Sequence, residues 1–244
     1  MKSIYVCTIG ACIMLSAAGC IKSNEYLLRL DDIGKFCKLK TLIVNGPDTV
    51  AFHYNSYGDP DSAVYQHGST TPNLYFRYDS RHRIQDYIYG FSDRDSAVFW
   101  FRYYYASDTS KQAFADSLYI YPDQMTHFPP HAAGPAYDNY TYDSLGRITH
   151  LSVIHDEEYF NFAYDAHGNI TPNGLNGPDD KVNYNRTSKV FQFLNWDYSV
   201  NNPFIATKYN RFGLPTEIDL TGKGSIRLFQ VITYTTAKME YDCK

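Results

Sequence analysis

Thr141-Tyr142-Asp143-Ser144-Leu145-Gly146 is the stretch whose reading decides the fold. It reads as the end of a strand running into a tight turn. Asp at the first corner of a type I turn accepts bonds from the backbone N–H groups that follow, and Gly at the fourth corner takes a positive φ. A turn of this kind with a left-handed Gly closes a short hairpin loop. The phrase returns at His53-Tyr54-Asn55-Ser56-Tyr57-Gly58, Ala163-Tyr164-Asp165-Ala166-His167-Gly168 and Lys208-Tyr209-Asn210-Arg211-Phe212-Gly213. Two looser copies lack the Gly, at Arg77-Tyr78-Asp79-Ser80-Arg81-His82 and Asn183-Tyr184-Asn185-Arg186-Thr187-Ser188. Most steps between copies are 20 to 25 residues, the size of a two-strand unit, so stacked hairpins are expected.

The surroundings agree with this. The chain of 244 residues holds 24 Tyr and 15 Phe, and aromatic residues fit a pleated, half-buried surface. Leu74–Tyr78, Val98–Tyr105, Tyr159–Tyr164 and Ile226–Tyr234 read as strands bounded by turn-forming residues. From Asp179 to Ser199 the apolar residues Val190, Phe191, Phe193, Leu194 and Trp196 fit neither alternation nor a clean helical stripe. Residues 122 to 137, rich in Pro, read as a loop. The expected fold is all-β: a twisted antiparallel meander of hairpins, with one short helical or irregular segment near residues 185–200. A closed barrel and a two-sheet sandwich are the competing architectures.

Tyr142-Asp143-Ser144-Leu145-Gly146-Arg147-Ile148-Thr149 and Tyr164-Asp165-Ala166-His167-Gly168-Asn169-Ile170 resemble the YD repeats of Rhs proteins. The chain is too short to build an Rhs shell, so no toxin-enclosing role carries over. Over residues 45–242 it is more similar to small Bacteroidota lipoproteins of unknown function that carry a few degenerate YD units. Asp197-Tyr198-Ser199-Val200-Asn201-Asn202-Pro203 and Tyr209–Ile218 support that resemblance. It speaks to architecture and not to chemistry, because the motif residues are turn-formers.

The first residues read as a targeting segment. Lys2 precedes an apolar stretch from Ile4 to Ala18, and Leu15-Ser16-Ala17-Ala18-Gly19-Cys20 follows the small-small-Gly-Cys ending of a bacterial lipobox. Leu15 sits one place upstream of the usual position. Residues 1–19 are expected to be a lipoprotein signal peptide, residues 20–36 an acylated Cys20 and its tether, and residues 37–244 one β domain. The resemblance implies anchoring in the outer membrane, since no acidic residue follows Cys20 directly. Cys7 and Cys12 leave with the signal, which leaves Cys37 and Cys243. In an exported chain they are expected to bridge, the alternative being two buried thiols.

The net charge of −4, with no basic stripe, argues against nucleic acid as a partner. The common catalytic and phosphate-binding motifs do not occur in the sequence, and no catalytic residue and no cofactor are assigned. His150, His155, Asp156, Glu157 and Glu158 are the best metal candidates, with His150, His155 and Glu158 the set that a metal-dependent hydrolase would use. Asp59-Pro60-Asp61, Asp93-Arg94-Asp95 and Asn176–Asp180 offer oxygens for a hard cation but read as turn acids. Trp100, Tyr103, Tyr105 and Trp196 are the candidate binding residues, as plates that stack against sugars or anchor protein partners. The leading expectation is a non-enzymatic envelope protein that binds a glycan or a protein partner through its sheet face or hairpin tips.

Overall fold

The computed structural model describes residues 33–46, 48–66, 71–91, 96–120, 125–126, 138–153, 158–171 and 177–244. The expected signal peptide, Cys20, most of the tether, and the 122–137 loop apart from Met125 and Thr126 lie outside the described residues.

Ten strands follow one another in a meander: β1 (Cys37–Val44), β2 (Asp48–Tyr54), β3 (Pro60–Tyr65), β4 (Asn73–Tyr78), β5 (Ile84–Phe91), β6 (Ser96–Tyr104), β7 (Ala115–Ile120), β8 (Asp138–Tyr142), β9 (Ile148–Val153) and β10 (Glu158–Asn161). A small hairpin of β11 (Ala163–Tyr164) and β12 (Ile170–Thr171) comes next, then a 3-10 turn (Tyr184–Thr187) and a helix (Lys189–Leu194). The chain ends with β13 (Lys208–Tyr209), β14 (Pro215–Asp219), the hairpin β15 (Ile226–Leu228) and β16 (Ile232–Tyr234), and β17 (Thr236–Cys243). β17 inserts between β1 and β14, which gives a thirteen-stranded antiparallel sheet ordered β10-β9-β8-β7-β6-β5-β4-β3-β2-β1-β17-β14-β13. The expected all-β meander is therefore the fold. Its sheet is open, with β10 and β13 as its two ends.

Five copies of the turn phrase fold with the same hydrogen bonds. In the Asp143 copy, the Asp143 N–H donates to the Arg147 carbonyl and the Gly146 N–H to the Asp143 carbonyl. The Asp143 Oδ1 accepts from the N–H groups of Leu145 and Arg147. The copies at Asn55, Asp79, Asp165 and Asn210 repeat this pattern. His82 takes the Gly place in the Asp79 copy, with φ +60° where Gly58, Gly146, Gly168 and Gly213 have +77° to +90°. The sixth copy departs from the expectation: Tyr184–Thr187 is a 3-10 turn and not a hairpin. Its Asn185 Oδ1, the atom that closes the other turns, accepts instead from the Asn195 amide at 2.7 Å.

The Tyr of the phrase has a physical role that Phe lacks. Tyr78 donates its hydroxyl to the Pro60 carbonyl, Tyr105 to Ile84, Tyr164 to Ile148 and Tyr241 to Pro215. Each acceptor lies five residues after the Asp or Asn of another turn, on the strand that leaves it. Tyr54 and Tyr142 donate likewise to the carbonyls of Leu39 and Ala113, which follow none of these turns. The hydroxyls thus lock each hairpin to its neighbour at one end of the sheet. In two units an Arg adds to the lock: Arg83 pairs with Asp79 and covers the Tyr105 ring at 3.9 Å, and Arg147 does so with Asp143 and Tyr164, also at 3.9 Å.

A flat sheet of thirteen strands would be close to ~58 Å wide at ~4.8 Å per strand. This one curls, because both of its ends meet one segment. On the β10 side Phe160 packs against Trp196, and on the β13 side the Tyr209 hydroxyl donates to Asp179, whose carboxylate also accepts from Asn202. Inside the curl, residues 184–206 and the hairpin 226–234 form a plug. Leu42, Phe52, Phe76, Tyr87, Leu151, Ile218 and Met239 of the sheet share one core with Phe191 and Leu194 of the helix and Leu228, Phe229 and Ile232 of the last hairpin.

Ile226–Tyr234 is not the single strand its composition suggests. Leu228-Phe229-Gln230-Val231 turns back on itself with φ +52° at Phe229 and +64° at Gln230. Two positive φ values make this the hairpin turn that usually carries Asn-Gly. Tyr159–Tyr164 also splits, into β10 and β11, which belong to different sheets.

Cys37 and Cys243 face each other in register across β1 and β17, bonded as a disulfide with Cα atoms 4.1 Å apart. The expected bridge is present.

Candidate functional site: the Trp196 cleft

The helix Lys189–Leu194 starts at Ser188, whose hydroxyl accepts from the Val190 N–H at 3.2 Å. It ends in a Schellman turn. The Trp196 N–H donates to the Phe193 carbonyl at 3.1 Å and the Asp197 N–H to the Gln192 carbonyl at 3.0 Å. The residue after the C-cap in this motif is left-handed and is usually Gly or Asn. Here it is Trp196, at φ +52°, a conformation that costs an L-residue about 1–2 kcal/mol.

The position is held by a network of short polar side chains. Asp197 Oδ2 accepts from the Asn183 amide at 2.7 Å and the Asn185 amide at 3.0 Å. The Asn195 amide donates to Asn185 Oδ1 at 2.7 Å, and Asn195 Oδ1 accepts from the Phe229 N–H at 2.6 Å. Asp197 Oδ1 accepts from the Ser199 N–H, and the Ser199 hydroxyl accepts from the Ile170 N–H. The network fixes the helix end to the 3-10 turn, to the last hairpin and to β12.

Trp196, half-buried against the core, thus stands at a cleft of about 270 Å³. Trp196 and Phe162 form an aromatic wall, with ring centroids 6.5 Å apart. Asn185, Asn195 and Asp197 form a polar wall, and Arg227 stands at the rim. Beside it the edge strand β10 is exposed at all four residues, and Tyr159 is 65% exposed. The cleft thus sets aromatic faces beside amides, one carboxylate and one cation.

The other expected residues divide. Tyr105 is half-buried and lines a second groove. Trp100 is fully buried on the outer face of the sheet with Ile88, Ala97 and Met125, its ring under Arg77 and Arg102. Tyr103 points into the core against Phe193, 4.9 Å between centroids. Neither offers a face to a ligand. A two-sided sheet with a plug within and the Met125 segment without covers both.

His155, with Asp156 and Glu157, lies outside the described residues. His150 and Glu158 do not converge. The register pairs His150 with Asn161 and Glu158 with Val153, and alternation puts these two pairs on opposite faces of the sheet. His150 instead bonds Asn161 Oδ1 through Nδ1 at 2.8 Å and stacks on Tyr159. Among the described residues no three His, Cys, Asp or Glu side chains gather as a metal site. Of the turn acids, Asp179 is filled by donors from Lys181, Asn202 and Tyr209, while Asp93, Asp95 and Asn176 lie outside the described residues.

One acid pair is buried away from either cleft. Asp116 is enclosed, its carboxylate accepting from the Tyr140 hydroxyl and the Asp138 N–H. Burial pushes its pKa well above the usual carboxylate range, and the neighbouring Asp138 charge adds to the shift. The folded protein therefore holds a proton that the unfolded chain releases near pH 4. The stability this gives is complete below that pH and is lost as pH rises through the raised pKa. Asp116→Asn should flatten this dependence and raise the melting temperature at neutral pH relative to wild type. Parallel melts from pH 4 to pH 8 give the check, and a wild-type curve that rises over this window in step with the variant would contradict the assignment.

Sequence reasoning reached Trp196 and missed Phe162, Asn185, Asp197 and Arg227. The Asn-rich, Asp-bearing run from Asn183 to Asn202 was the available signal, since short polar side chains at this density bond locally to backbone. No family model matches the sequence, and no curated protein matches it.

Proposed function

We propose that the protein is a non-enzymatic binding protein of the cell envelope, anchored by acyl chains on Cys20, that takes a glycan at the Trp196 cleft. The observation that carries this reading is Trp196 itself. A bulky aromatic residue occupies a helix-terminal position that favours Gly, and a dedicated polar network maintains it there. Strain kept in this way points to a ligand contact. The shared bonding of five Tyr-Asp/Asn turns supports kinship with small lipoproteins built from YD-type hairpins.

Trp196→Gly separates binding from folding. Glycine relieves about 1–2 kcal/mol of backbone strain, which offsets lost contacts with Phe160 and Phe162, so the melting temperature should move by only a few degrees, about 2–4 °C per kcal/mol. Binding of the full-length protein to an array of uncharged oligosaccharides should vanish in the variant. Because Trp100 is fully buried, ligand-induced changes in tryptophan emission report Trp196. Retained binding of uncharged oligosaccharides by Trp196→Gly, or none bound by wild type, removes the reading.

The anchor has its own test. Cys20→Ser should release the protein from membranes and abolish incorporation of a clickable fatty acid. Persistent labelling would place the lipid elsewhere.

A further inference from the structure

A second groove, of about 520 Å³, lies where the hairpin turns meet the other flank of the helix Lys189–Leu194. Its size is ordinary for a ligand site. Its walls are the rings of Tyr142, Tyr198 and Tyr105, the last covered on one face by Arg83, with Phe193 among the apolar residues. Tyr105 and Tyr142 are fixed by the hydroxyl bonds that lock the hairpins, so their rings are preorganised. Burial pushes the phenols of Tyr142 and Tyr198 well above their ordinary pKa, and they stay uncharged.

The charge of the groove opposes that of the chain. The protein carries a net −4, yet the charged and titratable side chains along this groove, apart from the tyrosines, are His82, Arg83, Lys111, Lys189 and a single acid, Asp59. Arg83 is committed to Asp79 and to the Ser107 and Ser110 carbonyls. Lys111 and Lys189 are exposed and line the groove from separate stretches of the chain. Gln112, packed over the Gly146 turn, and Gln192 add amides.

We infer that this groove binds an acidic oligosaccharide, with Lys111 and Lys189 meeting its carboxylates and the tyrosine rings meeting its sugar faces. The charge complementarity selects an anion, and the flat rings with amides between them select sugar over an acidic peptide. The site stands on observations separate from those at Trp196.

Three probes decide it, each titrated into the full-length protein in detergent. They are uronic-acid hexamers (oligogalacturonate, oligomannuronate and hyaluronan), the methyl-esterified oligogalacturonate, and poly-glutamate. At least one uronate hexamer should bind, more weakly as salt is raised, since exposed charge pairs are screened. Lys111→Glu combined with Lys189→Glu should lower its affinity about 100-fold, the scale of losing two charge-assisted contacts, with an unchanged circular dichroism spectrum. Trp196→Gly should leave that affinity as it is. The inference is overturned if no uronate hexamer binds at about 1 mM, or if the ester binds as tightly as the free acid. Poly-glutamate binding equally well, an indifferent double charge reversal, or loss of uronate binding in Trp196→Gly would overturn it too.

Discussion

Replacing Cys37 and Cys243 together by Ser is expected to cost about 5 kcal/mol of stability, because the bond closes a loop spanning 206 residues. For a domain of this size that is a fall of about 10–20 °C in melting temperature. The topology gives the bond more to hold than two chain ends. β17 lies between β1 and β14, so the strand pairing of β14 and β13 with the meander runs only through it. When the ends of β1 and β17 fray, the sheet divides at that seam. Reductant should therefore lower the wild-type melting temperature to that of the double Ser variant and leave the variant unchanged. A loss of less than about 1 kcal/mol, or equal sensitivity to reductant in both proteins, would show that the strand pairing alone holds the seam.

The division between what could be read from the sequence and what could not follows the range of the interactions. The turns at Asn55, Asp79, Asp143, Asp165 and Asn210 were legible because each is closed by its own five residues. Asp79 shows how little the Gly matters when the Asx bonds are complete, since His82 accepts φ +60° there. The copy at Tyr184 failed because its Asn185 Oδ1 accepts from a side chain ten residues on, the amide of Asn195. Tyr105 and Tyr241 belong to the hydroxyl lock although neither sits in a complete phrase. Their partners, Ile84 and Pro215, are 21 and 26 residues away, and no local pattern marks a carbonyl as an acceptor. The insertion of β17 beside β1 leaves no local trace either, apart from the two cysteines. At the candidate site, the aromatic content was evident and its distribution was not. Trp100 and Trp196 differ little in sequence context, and only the Met125 segment and the Schellman turn decide that one is buried and the other is presented.

Phe229 is where the plug and the sheet meet, and its loss is the other large effect expected. The ring is fully buried. It touches Phe52 and Phe76 of the sheet at 6.2 and 5.6 Å and Phe191 of the helix at 5.1 Å, and its carbonyl accepts the Tyr87 hydroxyl. These contacts offset the cost of a Phe at φ +52° in a turn that favours Asn-Gly: from that corner the ring reaches the three others. Phe229→Ala removes the ring and keeps the strained corner, so the cost should be at least about 3–5 kcal/mol, the usual range for a buried Phe. Gln230 shares the turn and the positive φ, at +64°, but lies outside the aromatic cluster. Gln230→Gly should accordingly change stability by no more than about 1 kcal/mol, the balance of relieved strain against chain entropy. Urea denaturation of the two variants compares ring with backbone at neighbouring positions. Similar midpoints for both would mean that the turn, and not the ring, joins plug to sheet, and the aromatic cluster would lose its place as the centre of the core.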